Sequence, residues 1–513
     1  MLNILKQIGR ILLILLFCSP AFAVTYYVRP ISGEYDDENG LTYAAAYDGF
    51  ADLETTAAYV AGDIVYVCGA HSETWPIGQS GGAGTPISFR FDCPSDPGSI
   101  DVADGELSAI LIDTQTYLDF YEINISGGTA HAINIFSGGD HDDPNYVNIY
   151  GGTVDGIGAG CGATGCGGHG IRIDGSNVLI DGVEIKNITG DGILGQGDNI
   201  EIRNCNIHDV DLAVVADGDC IQLMTDDANT SDSWHIHNNI LNHSSEASKN
   251  ALMVGSGTGH IIEDNIITGG QVGANLGGPY AGCTGVIFRR NRVTSMAATQ
   301  SVIAVAGGGS HEIYNNIVDS VSNAVLYLLR VTDGSTASKV NNNTLYGDVS
   351  TGSNYSVIRM EVDTSLAELY NNIIYRSADG LYAINANANA VLIASNNNIF
   401  RSNAYFNYNG SIYDALAAYF DGESLDGSSK AADPLFVNAA SGDFRLLPQS
   451  PAIDAGVWLS HMIKGTWRDF YQRQHIFGAN PDIGAAEAFQ WKYVPGMGGI
   501  RYQVPWVSIW KTP

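Results

Sequence analysis

The sequence predicts an all-β solenoid in which each coil consists of three short strands and three turns. Three observations lead there. Phrases ending in an Asn-rich bend recur along the chain at intervals of 25 to 34 residues, too long for a hexapeptide coil and too irregular for the fixed blades of a propeller. A second phrase, a short apolar strand opened by Gly or a polar residue, alternates with the first. Sixty-one glycines against fifteen prolines, with 45% hydrophobic residues, suit a folded, turn-rich chain better than a disordered one. The 513 residues would by length alone suggest about three globular domains, but stacked repeats build one elongated unit instead.

In chain order, residues 1–23 read as a secretory signal. Lys6 and Arg10 form a basic start, Ile11 to Phe17 an apolar core, and Ala21-Phe22-Ala23 a small-residue cleavage pattern. The apolar run is far below the ~20 residues that a membrane span requires, and Leu16 and Phe17 before Cys18 do not make a lipidation site. The expected destination is therefore extracellular or periplasmic, with no membrane association after cleavage. Loss of Lys6 and Arg10 leaves 22 basic against 55 acidic residues, a balance of −33. Such a chain repels nucleic acid and anionic membranes. An anionic polysaccharide would need a local Lys, Arg or Ca²⁺ site against this background.

Residues 24–116 read as a cap with the first coils. TYYVRP (25–30) is a strand, Asp52 to Tyr59 a short helix, and GDIVYVCG (62–69) a strand behind a Gly-Asp turn. Without such a cover the first coil would expose its apolar end. The repeat dominates over 117–406. Its bend residues align as Cys205, Asn239, Asn265, Asn291, Asn316, Asn343, Asn372 and, with one inserted residue, Asn397. Asn tolerates the left-handed backbone of a tight bend, and stacked amides bond to the coils above and below. This column is expected to be scaffold. Residues 407–488 form a closing segment, and 489–513 an aromatic tail holding Trp491, Tyr493, Tyr502, Trp506 and Trp510. That tail is expected to pack across the helix end or side.

Seven cysteines remain after cleavage. Cys68 with Cys93, Cys161 with Cys166, and Cys205 with Cys220 are plausible disulfides, leaving Cys283 over. No cysteine pair has the spacing of a structural zinc site.

The chemistry is expected on the other phrase type. GHGI (168–171), GDGI (190–193), GDCI (218–221) and KNAL (249–252) place His169, Asp191, Asp219 and Asn250 at one position in four successive coils. Ser301, Asn323, Ser356 and Asp379 follow there. Coils stacked ~4.8 Å apart would bring these neighbours to roughly 5 Å, facing one side. Arg172, Gln222 and Lys249 are candidates to line the same groove and, with Asn250, to bind substrate. Two carboxylates that close titrate apart, as glycoside hydrolysis requires of its acid and its base or nucleophile. On that reading Asp191 and Asp219 carry catalysis, and His169 tunes or orients the pair. The same pattern would also arise from Asp bonding backbone amides at a turn or from a Ca²⁺ site.

The chain resembles the right-handed parallel β-helix proteins of the pectate lyase type. TYYVRPISG, GLTYAAAYDGF and GDIVYVCG look like the opening region of that superfamily; DPLFVN (433–438), GDFRLLPQSPAIDAG (442–456) and PDIGAAE (481–487) look like the closing segment often attached to such helices. The resemblance implies a β-helix acting on extracellular polysaccharide. TGDG (189–192) and GDC (218–220) also resemble two polygalacturonase motifs, with Asp191 and Asp219 on the matching positions. The chain departs from that family at Gly218, where a paired Asp stands, at Asn250, where a His stands, and in having no following Arg-Ile-Lys. A separation of about 5 Å also fits a retaining pair, whereas that family inverts. SSEASKN (244–250) is loosely similar to the Glu and Ser-Lys region of alginate and chondroitin lyases of this fold. That similarity implies a lyase assisted by Lys249, Arg172 or Ca²⁺. A non-catalytic glycan-binding or adhesive solenoid is the reading from a different class.

Overall fold

The computed structural model describes residues 23–31, 39–57, 59–102, 108–128, 130–136, 144–158, 168–211, 218–224, 231–243, 250–278, 282–294, 301–320, 326–332, 334–347, 356–376, 382–463, 467–473 and 479–488. The signal segment to Phe22, Cys161, Cys166, Lys249, Asn323, Asp379 and the 489–513 tail lie outside them. Among the described residues no helix is long and apolar enough to cross a membrane.

The fold is a right-handed parallel β-helix. It divides into two compact units, one of residues 1–287 with 294–309, the other of 288–293 with 310–513. In the first unit the coil of Ile193–Gln196, Glu201–Arg203 and Asn206–His208 shows the repeat, three strands separated by turns. Each strand pairs in parallel only with its counterparts one coil before and after: Ile180 with Ile202 and Ile202 with Ile236, Ile185 with Ile207 and Ile207 with Leu241, Ile171 with Ile193 and Ile193 with Ile221. All of these aliphatic side chains are fully buried. Period-2 alternation turns one residue in two inward, and each inward Ile contributes about 2 kcal/mol of transfer free energy. Parallel pairing begins at Thr25, which partners Ile64.

The cap helix runs Phe50–Thr56, two residues earlier at its start and three earlier at its end than the sequence pattern indicates. Phe50 decides the start, because its ring stacks at 4.4 Å on Trp75 and its N–H donates to Glu73 Oε1. Ala57 turns extended, and Tyr59 packs edge-on against Phe89 while its hydroxyl donates to Glu54.

The bends separate two functions that the sequence reading gave to one residue. The left-handed position is occupied by the residue before the ladder: Asn204, Asn238 and Asp264 in the first unit, and Arg290, Asn315, Asn342, Asn371 and Asn397 in the second, with φ between 54° and 58°. The next residue builds the ladder. Asn239 Oδ1 accepts the Cys205 N–H at 2.9 Å, and Asn265 Oδ1 that of Asn239 at 2.9 Å. In the second unit Asn291, Asn316, Asn343, Asn372 and Asn398 follow the same scheme. The ladder member of the last coil is therefore Asn398, and Asn397 is its left-handed partner, its amide donating to the Ala455 carbonyl.

In the second unit the closing segment lies along the bends. Phe436–Asn438 and Asp443–Leu446 pair antiparallel. Phe444, Phe470 and Ala485 pack with Ile317, and Ala452 and Ile483 with Ile373 and Ile399. The antiparallel strand Ser411–Tyr413 follows Tyr405–Tyr408, and Tyr419 of helix Leu416–Glu423 stacks on Phe406 at 4.6 Å. This blunts an open parallel edge.

Cys68 and Cys93 form the expected disulfide. Cys205 and Cys220 do not pair: Cys205 lies in the bend between Glu201–Arg203 and Asn206–His208, and Cys220 just before Ile221–Leu223. The Cys205 thiol contacts the Arg203 and Ile180 carbonyls, and the Cys220 thiol the Ile207 carbonyl. Both are free, as is Cys283. Burial pushes the thiols of Cys205 and Cys283 up to about 12, which makes them unreactive.

Two outcomes follow from this architecture. Asn343→Ala would strand the Asn316 N–H and the Ile313 carbonyl, both of which its buried amide satisfies; we expect a loss of about 2–4 kcal/mol, read as a lowered thermal midpoint. Mass spectrometry after thiol alkylation should find the Cys205, Cys220 and Cys283 peptides unmodified in native protein and modified after denaturation without reductant.

Candidate functional site

The first unit builds its first sheet from Trp75–Ile77, Ser108–Asp113, His131–Phe136, His169–Asp174, Ile193–Gln196, Ile221–Leu223, Asn250–Val254, Val272–Leu276 and Ser301–Val305, in that order. The residues at the start of these strands come together as the sequence register requires. His169 Nδ1 lies 3.0 Å from Asp191 Oδ2. Asp191 Oδ1 accepts the Asp219 N–H at 2.7 Å, and Asp219 Oδ1 the Asn250 N–H at 2.7 Å. The Asn250 amide also reaches both oxygens of Asp219.

Each acid thus ties its own coil to the backbone of the next. The flanking glycines permit this approach: a Cβ on Gly170 would stand 2.5 Å from the Gly192 carbonyl, and one on Gly192 2.6 Å from that of Cys220. Turn bonding and an acid column are consequently the same structure here, and the two meanings of Gly-Asp-Gly-Ile are compatible.

The column members differ in access. His169 keeps 17% of its side chain exposed, whereas Asp191 keeps 4% and Asp219 is buried. Burial first, and repulsion from Asp191 second, push the Asp219 carboxyl well above the ordinary carboxylate range. The His169 Nδ1 has two competing partners, since the Asp191 N–H also lies 3.1 Å away. An Nδ1 that accepts this N–H leaves the ring proton on Nε2, whereas one that donates to the Asp191 carboxylate leaves the lone pair on Nε2.

His131, one coil earlier, is missing from the sequence reading although Ala-His-Ala-Ile (130–133) continues the GHGI register. Its ring stacks on His169 at 5.2 Å. Burial, then the nearby His169 and Arg172, push its pKa down to about 3. Arg172 is half-buried and shares its row with Asn134 and Leu194. Gln222 lies in the same row beyond Leu194, so it does not adjoin Arg172, and its amide contacts Met224 Sδ at 3.1 Å. Among the described residues this column does not gather three metal-ligating atoms; Glu201, His235 and His237, on another sheet, do.

No family model and no curated protein matches the chain. Solved structures do. Pectate lyase Pel9A is 14% identical, with a TM-score of 0.45, over 91% of this chain and 96% of its own. A mannuronic acid specific polysaccharide family 6 lyase from human gut microbiota is 12% identical, with a TM-score of 0.47, over 74% of this chain and 86% of its own. An alginate lyase from Paenibacillus is 16% identical, with a TM-score of 0.37, over 71% and 92%.

The state of Asp219 has a measurable consequence. Its folded pKa is raised, so between the unfolded value near 3.9 and the folded one the native state binds the extra proton and stability falls as pH rises. Asp219→Asn mimics the protonated acid. The stability difference between variant and wild type should move in favour of the variant as pH rises above the unfolded value, as followed by urea unfolding at each pH.

Proposed function

We propose that the protein acts on an extracellular acidic polysaccharide at the His131–His169–Arg172–Asp191 face and cleaves it by β-elimination. The observation that carries this reading is the contrast in access: the His169 ring reaches solvent while the acids behind it are buried. On this reading its Nε2, with the ring proton on Nδ1 toward Asp191, serves as the base that removes the proton next to a uronate carboxylate. The electron pair then forms the C4–C5 double bond, the C4–O bond breaks, and the leaving oxygen takes up a proton. The Arg172 guanidinium is the local cation that offsets the substrate carboxylate in a chain of strongly negative charge. Secretion, expected from residues 1–23, is part of the same proposal, and the sequence resemblance to pectate lyase-type proteins supports the substrate class.

One observation favours hydrolysis by the Asp191–Asp219 pair instead: a carboxyl pushed up by burial and a neighbouring acid suits a proton donor to a glycosidic oxygen. The two readings separate on a panel of polysaccharides assayed for reducing ends and for absorbance of the unsaturated uronate. Elimination yields both signals, hydrolysis yields reducing ends only, and binding without cleavage yields neither. We expect both signals. His169→Ala should lower kcat by at least about 100-fold, whereas Asp219→Asn should retain most activity. If Asp219→Asn abolishes turnover and no unsaturated product forms, the hydrolytic reading replaces the eliminative one.

A further inference from the structure

A second cluster lies in the same unit, on strands Glu201–Arg203, His235–His237 and Ile261–Glu263. His-Ile-His alternates strictly, so Ile236 is buried and both imidazoles emerge on the outer face. Register places Glu201 beside His235 and Glu263 beside His237. The side chains then reach diagonally: His237 Nε2 lies 3.0 Å from Glu201 Oε1, and His235 Nε2 lies 3.1 Å from Glu263 Oε1. The two rings stack with centroids 4.0 Å apart. One donor atom from each of Glu201, His235 and His237 falls within 4.8 Å of the others.

We propose that Glu201, His235 and His237 form a binding site for a divalent transition metal ion of the zinc type. Two imidazole nitrogens and one carboxylate oxygen suit Zn²⁺, Ni²⁺ or Cu²⁺, whereas Ca²⁺ and Mg²⁺ select oxygen ligands. Donors around a tetrahedral zinc at 2.0–2.1 Å are roughly 3.3 Å apart, so binding requires these half-buried side chains to draw together from within 4.8 Å. Three protein ligands leave a fourth position facing outward.

The electrostatics of the patch are consistent with a cation. Arg203 donates to Glu201 at 2.7 Å and to Asp181 at 2.9 Å, and Glu263 lies 3.1 Å from His235 Nε2. A metal would displace one arm of Arg203 from Glu201, and that side chain would keep its bond to Asp181. Histidine pairs bonded to carboxylates also occur as plain surface networks. What distinguishes this cluster is that one donor atom from each of two imidazoles and a carboxylate lies within 4.8 Å of both others, where a network needs only pairwise contacts.

The test is isothermal titration of the EDTA-treated, dialysed full chain with zinc chloride and separately with calcium chloride. One zinc per chain is expected at this site. His237→Ala and Glu201→Gln should each weaken binding at least tenfold with unchanged circular dichroism, and Arg203→Met should strengthen it severalfold by removing the competing cation. The visible spectrum of the cobalt-loaded wild-type chain gives a readout that needs no variant: bands of a nitrogen and oxygen ligand field are expected, without thiolate charge transfer. Absence of stoichiometric zinc binding, binding unaffected by both substitutions, or a thiolate band marking the cysteines as ligands would each overturn the proposal.

Discussion

A parallel strand in a solenoid can satisfy its backbone only through the coils directly before and after it, and every other feature of this protein depends on that constraint. Coils stacked about 4.8 Å apart must turn at the same places, or the hydrogen-bond ladders fall out of register. The bends meet this requirement with two adjacent residues. One takes the left-handed backbone, as Asn204 and Asn371 do, and the next passes an amide to the following coil, as Asn239 and Asn372 do. Because the amides are buried, each bond is made where water cannot replace it, and loss of one leaves groups on neighbouring coils unsatisfied. The aliphatic columns of Ile180, Ile202 and Ile236 then stack as a consequence of the same register.

The register that orders the core also orders the outer faces. On the first sheet it converts one polar residue per coil into the chain His169, Asp191, Asp219 and Asn250. These acids hold the coils together through backbone N–H groups, and by doing so they withdraw from solvent and leave His169 in front. A structural ladder and a raised Asp219 carboxyl arise from one geometry, since burying a carboxylate beside another raises its affinity for a proton whatever else it does. On the neighbouring sheet the same stacking, acting on an alternating His-Ile-His, brings Glu201 of the preceding coil to the two imidazoles.

In the second unit the left-handed asparagines take on another task. The Asn315 amide donates to the Arg468 carbonyl, the Asn371 amide to that of Val457, and the Asn397 amide to that of Ala455. A residue at this position points its side chain away from the ladder, so its amide is available to dock a chain running alongside. Burial of Phe444, Phe470 and Ile483 against the coils supplies the apolar part of that attachment. Among these closing residues, burial pushes the Glu487 carboxyl up to about 9, with Asp482 beside it adding to the shift.

The winding was legible from residue spacing because a repeat writes its period into the sequence: bends at Cys205, Asn239 and Asn265 recur where the chain must turn, and the column of His169, Asp191 and Asp219 follows from counting forward to each strand start. His131 obeyed the same count and was legible one coil earlier. Spacing could not say that Asn398 rather than Asn397 carries the last rung, since two adjacent asparagines are alike in composition and differ only in backbone sign and in what their amides meet. Nor could it say that Cys205 and Cys220 do not pair, that Arg172 and Gln222 are separated by Leu194, or that Glu201 reaches His237 diagonally. The sequence by itself determined the period, the inward residues and the column, because those depend on the local backbone repeat of two and on the length of one coil. Burial, access and diagonal contact were decided only by the tertiary structure, because they depend on which coil lies beside which and on what its side chains leave open to water.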